Sequence, residues 1–357
     1  MRRWPVLVPL VAAVLAAAAA LLPASPPLAA VLGAGVAGAV LSAVHHAEVV
    51  AHRVGEPLGS LVLALAVTVI EVALIVSLTV AGGPGSAGLA RDAIFSAVMI
   101  ICNGVVGICI LVGGIRHREQ SFRVEGAGPA LAALVALSTL SLVLPTFTTS
   151  APGPAYSPAQ LAFAGLASLA LWGVFVFAQT VRHRDYFLPA GGADGAGEEA
   201  HLAPPSGWAA LASAGLLLVS LVAVVAGAKL LSPRIEALVA AAGVPHAVVG
   251  VAIALLVLLP ETVAAVRAAR KNRLQTSMNL ALGSALASIG LTIPAVVAAS
   301  LLMGVPVALG LGAKDLVLLT LSFLVAAVTL GQGRTSILQG AVHLVVFAAF
   351  LFLSFVP

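Results

Sequence analysis

The sequence predicts an all-α polytopic membrane protein of about eleven transmembrane helices: one peripheral N-terminal helix followed by two inverted five-helix repeats. Three observations carry that prediction. Hydrophobic residues make up 61% of the 357 and charged ones only 8%, with mean hydropathy +1.16, outside the range of soluble domains. Apolar runs long enough to cross about 30 Å of hydrocarbon as α-helix recur between Gly, Pro or charged breaks, whereas the short alternating segments of a β-barrel are absent. Finally, two glutamates, Glu71 and Glu261, sit inside such runs at matching places in the two halves.

The runs fall near residues 5–22, 27–45, 57–81, 91–115, 127–147, 158–181, 207–230, 245–267, 274–302, 314–331 and 335–355. The first, within residues 1–26, is the peripheral helix. Residues 27–181 form one repeat and 207–357 the other, joined by a linker at 182–206 that is Gly/Ala-rich and ends near Pro204-Pro205. Five helices per half is an odd number, so the second half is inverted relative to the first. The repeat also shows in the residues. "GEPLGSLVLALAVTVIEVALIV" (55–76) and "GVPHAVVGVAIALLVLLPETVAAV" (243–266) both begin Gly-x-Pro and reach their acid 16 or 18 residues later.

With the N-terminus cytoplasmic, 13 of the 17 Lys and Arg residues fall in cytoplasmic loops, and the C-terminus is external. The net charge of +4 therefore reads as a topological signal, and no nucleic-acid partner is expected. The expected partners are inorganic cations and the lipid bilayer. No phosphate-binding GxxxxGK[ST] loop and no large catalytic domain is present, which excludes an ATP-driven pump and gives no sign of an enzyme or a cofactor. Cys102 and Cys109, seven residues apart on one helix, lie about 10 Å apart along its axis, too far for a disulfide.

An ionised carboxylate at the centre of a membrane helix costs about 2.5–3.5 kcal/mol, so Glu71 and Glu261 are expected to face a polar cavity, pair, or take up protons. Two facing carboxylates offer hard oxygen ligands suited to Ca²⁺, and protons compete for the same oxygens. Pro260 removes the N–H that would bond the Leu256 carbonyl, freeing it as a further ligand, and Thr68 lies one turn before Glu71. The helices that follow each acid supply Asn103, with Gly107 one turn on, and Asn279, with Gly283 one turn on; Ser277, Ser284 and Ser288 share a face. Asn103, Ser284 and Asn279 are chosen as site candidates beside Glu71, Glu261, Thr68 and Leu256. A separate stripe, His45, Glu48 and His52 at spacing i, i+3, i+7, suits polar packing, proton relay or a transition metal. Glu56, at the entrance to the next helix, is a candidate guide for cations or a helix N-terminal acid. His343 reads as a bundle histidine.

The stretches 45–78, 248–294 and "RDAIFSAVMIICNGVVGICILVGG" (91–114) resemble the two α-repeat regions of bacterial ChaA-type calcium/proton antiporters of the calcium/cation antiporter superfamily. The resemblance implies a sodium/calcium exchanger-like fold in the bacterial inner membrane. It further implies Ca²⁺ export driven by protons, with Glu71 and Glu261 binding cation and proton alternately; Na⁺ or K⁺ exchange, and less strongly a passive cation channel, are the alternatives. Many superfamily members place Gly-Asn or Gly-Thr before the acid. Here Thr68-Val69-Ile70 and Leu258-Leu259-Pro260 stand there instead.

Overall fold

The computed structural model describes residues 4–22, 25–55, 58–81, 86–188, 205–243 and 245–357; Glu56 and most of the expected linker lie outside the described residues. The chain folds as α1 (Trp4–Leu21), α2 (Pro26–Val54), α3 (Leu58–Ala81), α4 (Leu89–Met99), α5 (Val106–His117), α6 (Val124–Ser138), α7 (Pro158–Phe177), α8 (Gly207–Ala242), α9 (Ala247–Arg270), α10 (Leu274–Met303), α11 (Ala313–Leu330) and α12 (Ile337–Phe355). A π-helical segment, Ile100–Val105, joins α4 and α5 into one span. Ten spans among the described residues are long and apolar enough to cross a membrane, and α3 contributes a shorter apolar stretch, Leu65–Val80. In such helices every backbone N–H finds its carbonyl within the segment, as hydrocarbon requires.

Two helices run past their expected ends. The second continues from 45 to Val54 because no breaker intervenes before Gly55, which turns the chain at φ 80°. The stripe at positions 45–52 is thus helical throughout. The eighth continues through Pro233 to Ala242 and stops at Gly243, φ 63°.

The two halves repeat each other's contacts. Helix α3 packs on α10 and α9 on α4; α5 packs on α12 as α10 does on α7; α2 and α8 lie against each other. At one end of the bundle β1 (Gln120–Ser121), after α5, pairs antiparallel with β2 (Arg334–Thr335), before α12. At the other end the corresponding loops meet with their roles exchanged: Gly310 N–H donates to Pro154 O at 2.9 Å, and Thr146 Oγ1 to Leu311 O at 2.9 Å. The last helix of each half also starts alike. Gln160 Oε1 accepts from Ser157 N at 2.9 Å, and Gln339 Oε1 from Ser336 N at 2.8 Å, the glutamine half of a capping box.

The core divides into two hydrophobic clusters. The larger spans α4 to α7 and α9 to α12, while the smaller gathers Ala12 of α1, Val36 to Val44 of α2, Val67 to Leu74 of α3 and Ala223 to Ala228 of α8. Helices approach closely where glycine permits. A Cβ on Gly340 of α12 would stand 2.6 Å from Leu111 N of α5, a backbone atom that cannot swing aside. Gly340→Ala should therefore cost about 1–3 kcal/mol and lower the melting temperature in detergent by several degrees. Gly33→Ala, where an added Cβ meets nothing within 4 Å, should leave it unchanged or raise it slightly.

Candidate cation site

The site is built from the middles of three helices. Apolar neighbours surround Glu71 on α3: Ile70 and Ile75 are fully buried, and Glu71 itself is 3% exposed. Its Oε2 accepts a hydrogen bond from Ser288 Oγ of α10 at 2.7 Å, while Thr68, one turn earlier, is buried beside it. Glu261 follows Pro260 in α9 and is half-buried, yet its Oε2 is enclosed and has no partner among the described residues. It lies within electrostatic reach of Glu71 on α3 and of Glu48 on α2.

The pair has no fixed countercharge. No lysine or arginine among the described residues is buried. The ion pairs there, Arg91–Asp92 at 2.7 Å and Lys314–Asp315 at 3.6 Å, belong to the first turns of α4 and α11. Two carboxylates enclosed this way repel each other when both are ionised, so the arrangement favours uptake of a cation or of protons.

The other candidates fare differently. Asn103, fully buried in the π-helical segment, donates from Nδ2 to Ser322 Oγ of α11 at 2.8 Å, and its Oδ1 has no partner among the described residues. Ser284 is half-buried on α10 beside Gly283, where an added Cβ would meet nothing within 4 Å. Leu256 packs against the smaller cluster, one turn before Pro260. Asn279 is engaged elsewhere. Its Nδ2 donates to Phe187 O at 2.5 Å and its Oδ1 accepts from Gln275 Nε2 at 2.9 Å, so it ties α10 to the turn at Arg184–Phe187. That is the job of a short amide near a helix start, two and a half turns from Ser288.

The three residues of the stripe on α2 stand in different surroundings. His45 packs on the Trp4 ring at 5.8 Å and on His46 at 5.6 Å, whereas Glu48 and His52 are exposed. Glu48 lies within electrostatic reach of Arg267 on α9. Among the described residues no group of three His, Cys, Asp or Glu is placed to hold a metal ion. His343 is a buried bundle histidine, with Nε2 3.1 Å from Thr329 Oγ1. Ser288 belongs to the serine face of α10 but was not among the chosen candidates. Its signal was there, one turn beyond Ser284.

The ten apolar spans and the paired contacts of the two halves are those of a multi-pass membrane protein. The sodium/calcium exchanger protein family matches residues 25–181 and 212–356, and the chain belongs to that family, one of transporters and not of enzymes. The y4hA protein of Sinorhizobium fredii is 51% identical over 320 residues, 88% of this chain and 85% of that protein. The sodium-potassium/proton antiporter ChaA of Escherichia coli is 37% identical over 310 residues, 87% of this chain and 84% of that one. The Ca²⁺/H⁺ antiporter protein YfkE shares the fold, with TM-score 0.73 at 17% identity over 99% of this chain and 100% of that one.

Two substitutions separate the site from its surroundings. Ser288→Ala removes the donor to Glu71, worth about 1.5–3 kcal/mol to the carboxylate in its ionised form, and should raise the half-saturating cation concentration roughly tenfold in a transport assay. Asn279→Ala should lower the melting temperature while leaving that concentration within about twofold, since its partners are Phe187 and Gln275.

Proposed function

We propose that the chain is a secondary antiporter that exports Ca²⁺ from the cytoplasm in exchange for protons, with Glu71 and Glu261 as two halves of one site. The observation that carries this reading is the pair of enclosed carboxylates on α3 and α9, one from each half, without a buried lysine or arginine among the described residues. When no cation is bound, protons neutralise the pair at the least desolvation cost. A divalent cation displaces them, so the two ions compete and exchange is coupled.

The shell around the acids draws on oxygens that such a cation accepts: Ser288 Oγ, the free Oδ1 of Asn103, Thr68, Ser284 and the Leu256 carbonyl. The open space beside Gly283 supports a path past Ser284. On the cytoplasmic side Glu48, exposed on α2 and electrostatically linked to both Arg267 and Glu261, is the entrance carboxylate, with His52 further out. The two inverted halves supply alternating access about the midplane, in a bacterial inner membrane with the N-terminus cytoplasmic. A second reading is exchange of Na⁺ or K⁺ for protons at the same residues. The similarity to ChaA, named a sodium-potassium/proton antiporter, favours it.

Inverted vesicles test both readings. Imposing an acid interior should drive Ca²⁺ uptake, and Glu71→Gln or Glu261→Gln should each reduce it to the background of vesicles lacking the protein. Uptake retained in both variants sinks the two-carboxylate site. Replacing Ca²⁺ by Na⁺ or K⁺ in the same assay selects the ion, and Ca²⁺ flux without proton movement would identify a channel instead.

A further inference from the structure

Helix α1 carries two prolines on its buried face, Pro5 and Pro9, continued by Ala12 and Ala16. Pro9 stands four residues after Pro5 and has no N–H, so the Pro5 carbonyl loses its helical partner. An acceptor stranded among apolar helices is costly. Two side chains of α2 take it up. Ser42 Oγ donates to Pro5 O at 2.7 Å, and His46 Nε2 lies 2.9 Å from the same oxygen. They stand one helical turn apart, 0% and 3% exposed.

A carbonyl only accepts, so Nε2 of His46 carries the proton; the buried Nδ1 has no partner among the described residues. The ring is used as a donor with its other nitrogen bare, an arrangement for holding and not for relaying protons. Small residues bring the two helices together around it. A Cβ on Gly38 of α2 would lie 3.0 Å from Val8 Cγ1 of α1. Helix α1 also packs along α8, and Ala12 belongs to the smaller hydrophobic cluster, which draws mainly on α2, α3 and α8 with Val257 of α9. Its opposite face, with Leu7, Leu10, Val11 and Val14, is exposed.

We infer that His46 is a positioning residue: together with Ser42 it clamps α1 to α2 through the Pro5 carbonyl, so that α1, α2 and α8 move as one body during exchange. This rests on the alternating-access reading. It assigns the N-terminal helix a mechanical part in transport.

The test joins a variant series to a cross-link. His46→Phe should lower maximal exchange roughly fivefold, as loss of one hydrogen bond allows, with the half-saturating cation concentration within about twofold. His46→Gln, which keeps an N–H donor at similar reach, should stay near native. Pro9→Ala, which gives Pro5 O a backbone donor again, should fall with His46→Phe. A disulfide between Val8→Cys and Gly38→Cys should form at the same rate in saturating Ca²⁺ and in Ca²⁺-free acid, leave native exchange intact, and restore the His46→Phe variant. A cross-link that stops exchange until reduced, that forms at an ion-dependent rate, or that fails to restore His46→Phe overturns the clamp. The cross-linking rate needs no transport, so it judges the clamp even if native vesicles show no exchange, which would overturn the antiport reading alone.

Discussion

Two carboxylates, Glu71 and Glu261, lie within apolar helices of this bundle, and no lysine or arginine among the described residues is buried with them. Each costs about 2.5–3.5 kcal/mol if ionised there. One charge-assisted hydrogen bond, worth about 1.5–3 kcal/mol, offsets most of that cost for Glu71, where Ser288 donates at 2.7 Å. Glu261 has no such donor on Oε2 among the described residues. The pair is therefore unequal, and the remaining deficit falls on the acid nearer Glu48 and Arg267.

The β1–β2 ribbon at one end and the Pro154–Gly310 contact at the other join loops of opposite halves. Between them the helices meet through glycine and other small residues, as where Gly340 admits the Leu111 backbone. Lipid offers no hydrophobic drive for helices to associate, so close packing and a few interhelical hydrogen bonds must hold them, Asn103 to Ser322 and Ser277 to Ala265 O among these.

Much of the fold was legible because hydrocarbon imposes it: apolar length gives spans, and lone acids in such runs are costly enough to stand out. Glu71 and Glu261 stand out in the sequence for that reason. Boundaries failed where length alone was used, as in α2, which runs on until Gly55. The π-helical turn at Ile100–Val105 leaves no mark in hydropathy, and the sequence does not reveal that the Asn103 amide nitrogen goes to Ser322. Asn279 repeats the spacing of Asn103, and its i−4 partner Gln275 fits that periodicity, but its acceptor Phe187 O lies in a turn 92 residues away in sequence, which periodicity along one helix cannot reveal. The paired Ser-x-x-Gln caps at Ser157 and Ser336 were in plain sight as repeat evidence, but capping matters at helix starts, away from the acids that drew the eye.

Proline supplies the link between the two functional regions. In α1, Pro9 frees the Pro5 carbonyl, and Ser42 and His46 fill it from α2, producing a fixed joint. In α9, Pro260 frees the Leu256 carbonyl one turn from Glu261, and the neighbouring hydroxyl, Thr262, bonds back to Leu258 O at 2.7 Å instead. The same missing N–H thus has opposite consequences. In α1 a neighbouring helix brings side-chain donors to the freed acceptor; in α9 the freed acceptor lies one turn before Glu261, whose Oε2 has no partner among the described residues. What decides between them is the surface of the adjacent helix, which is why proline positions in this sequence carry meaning only once the packing is known.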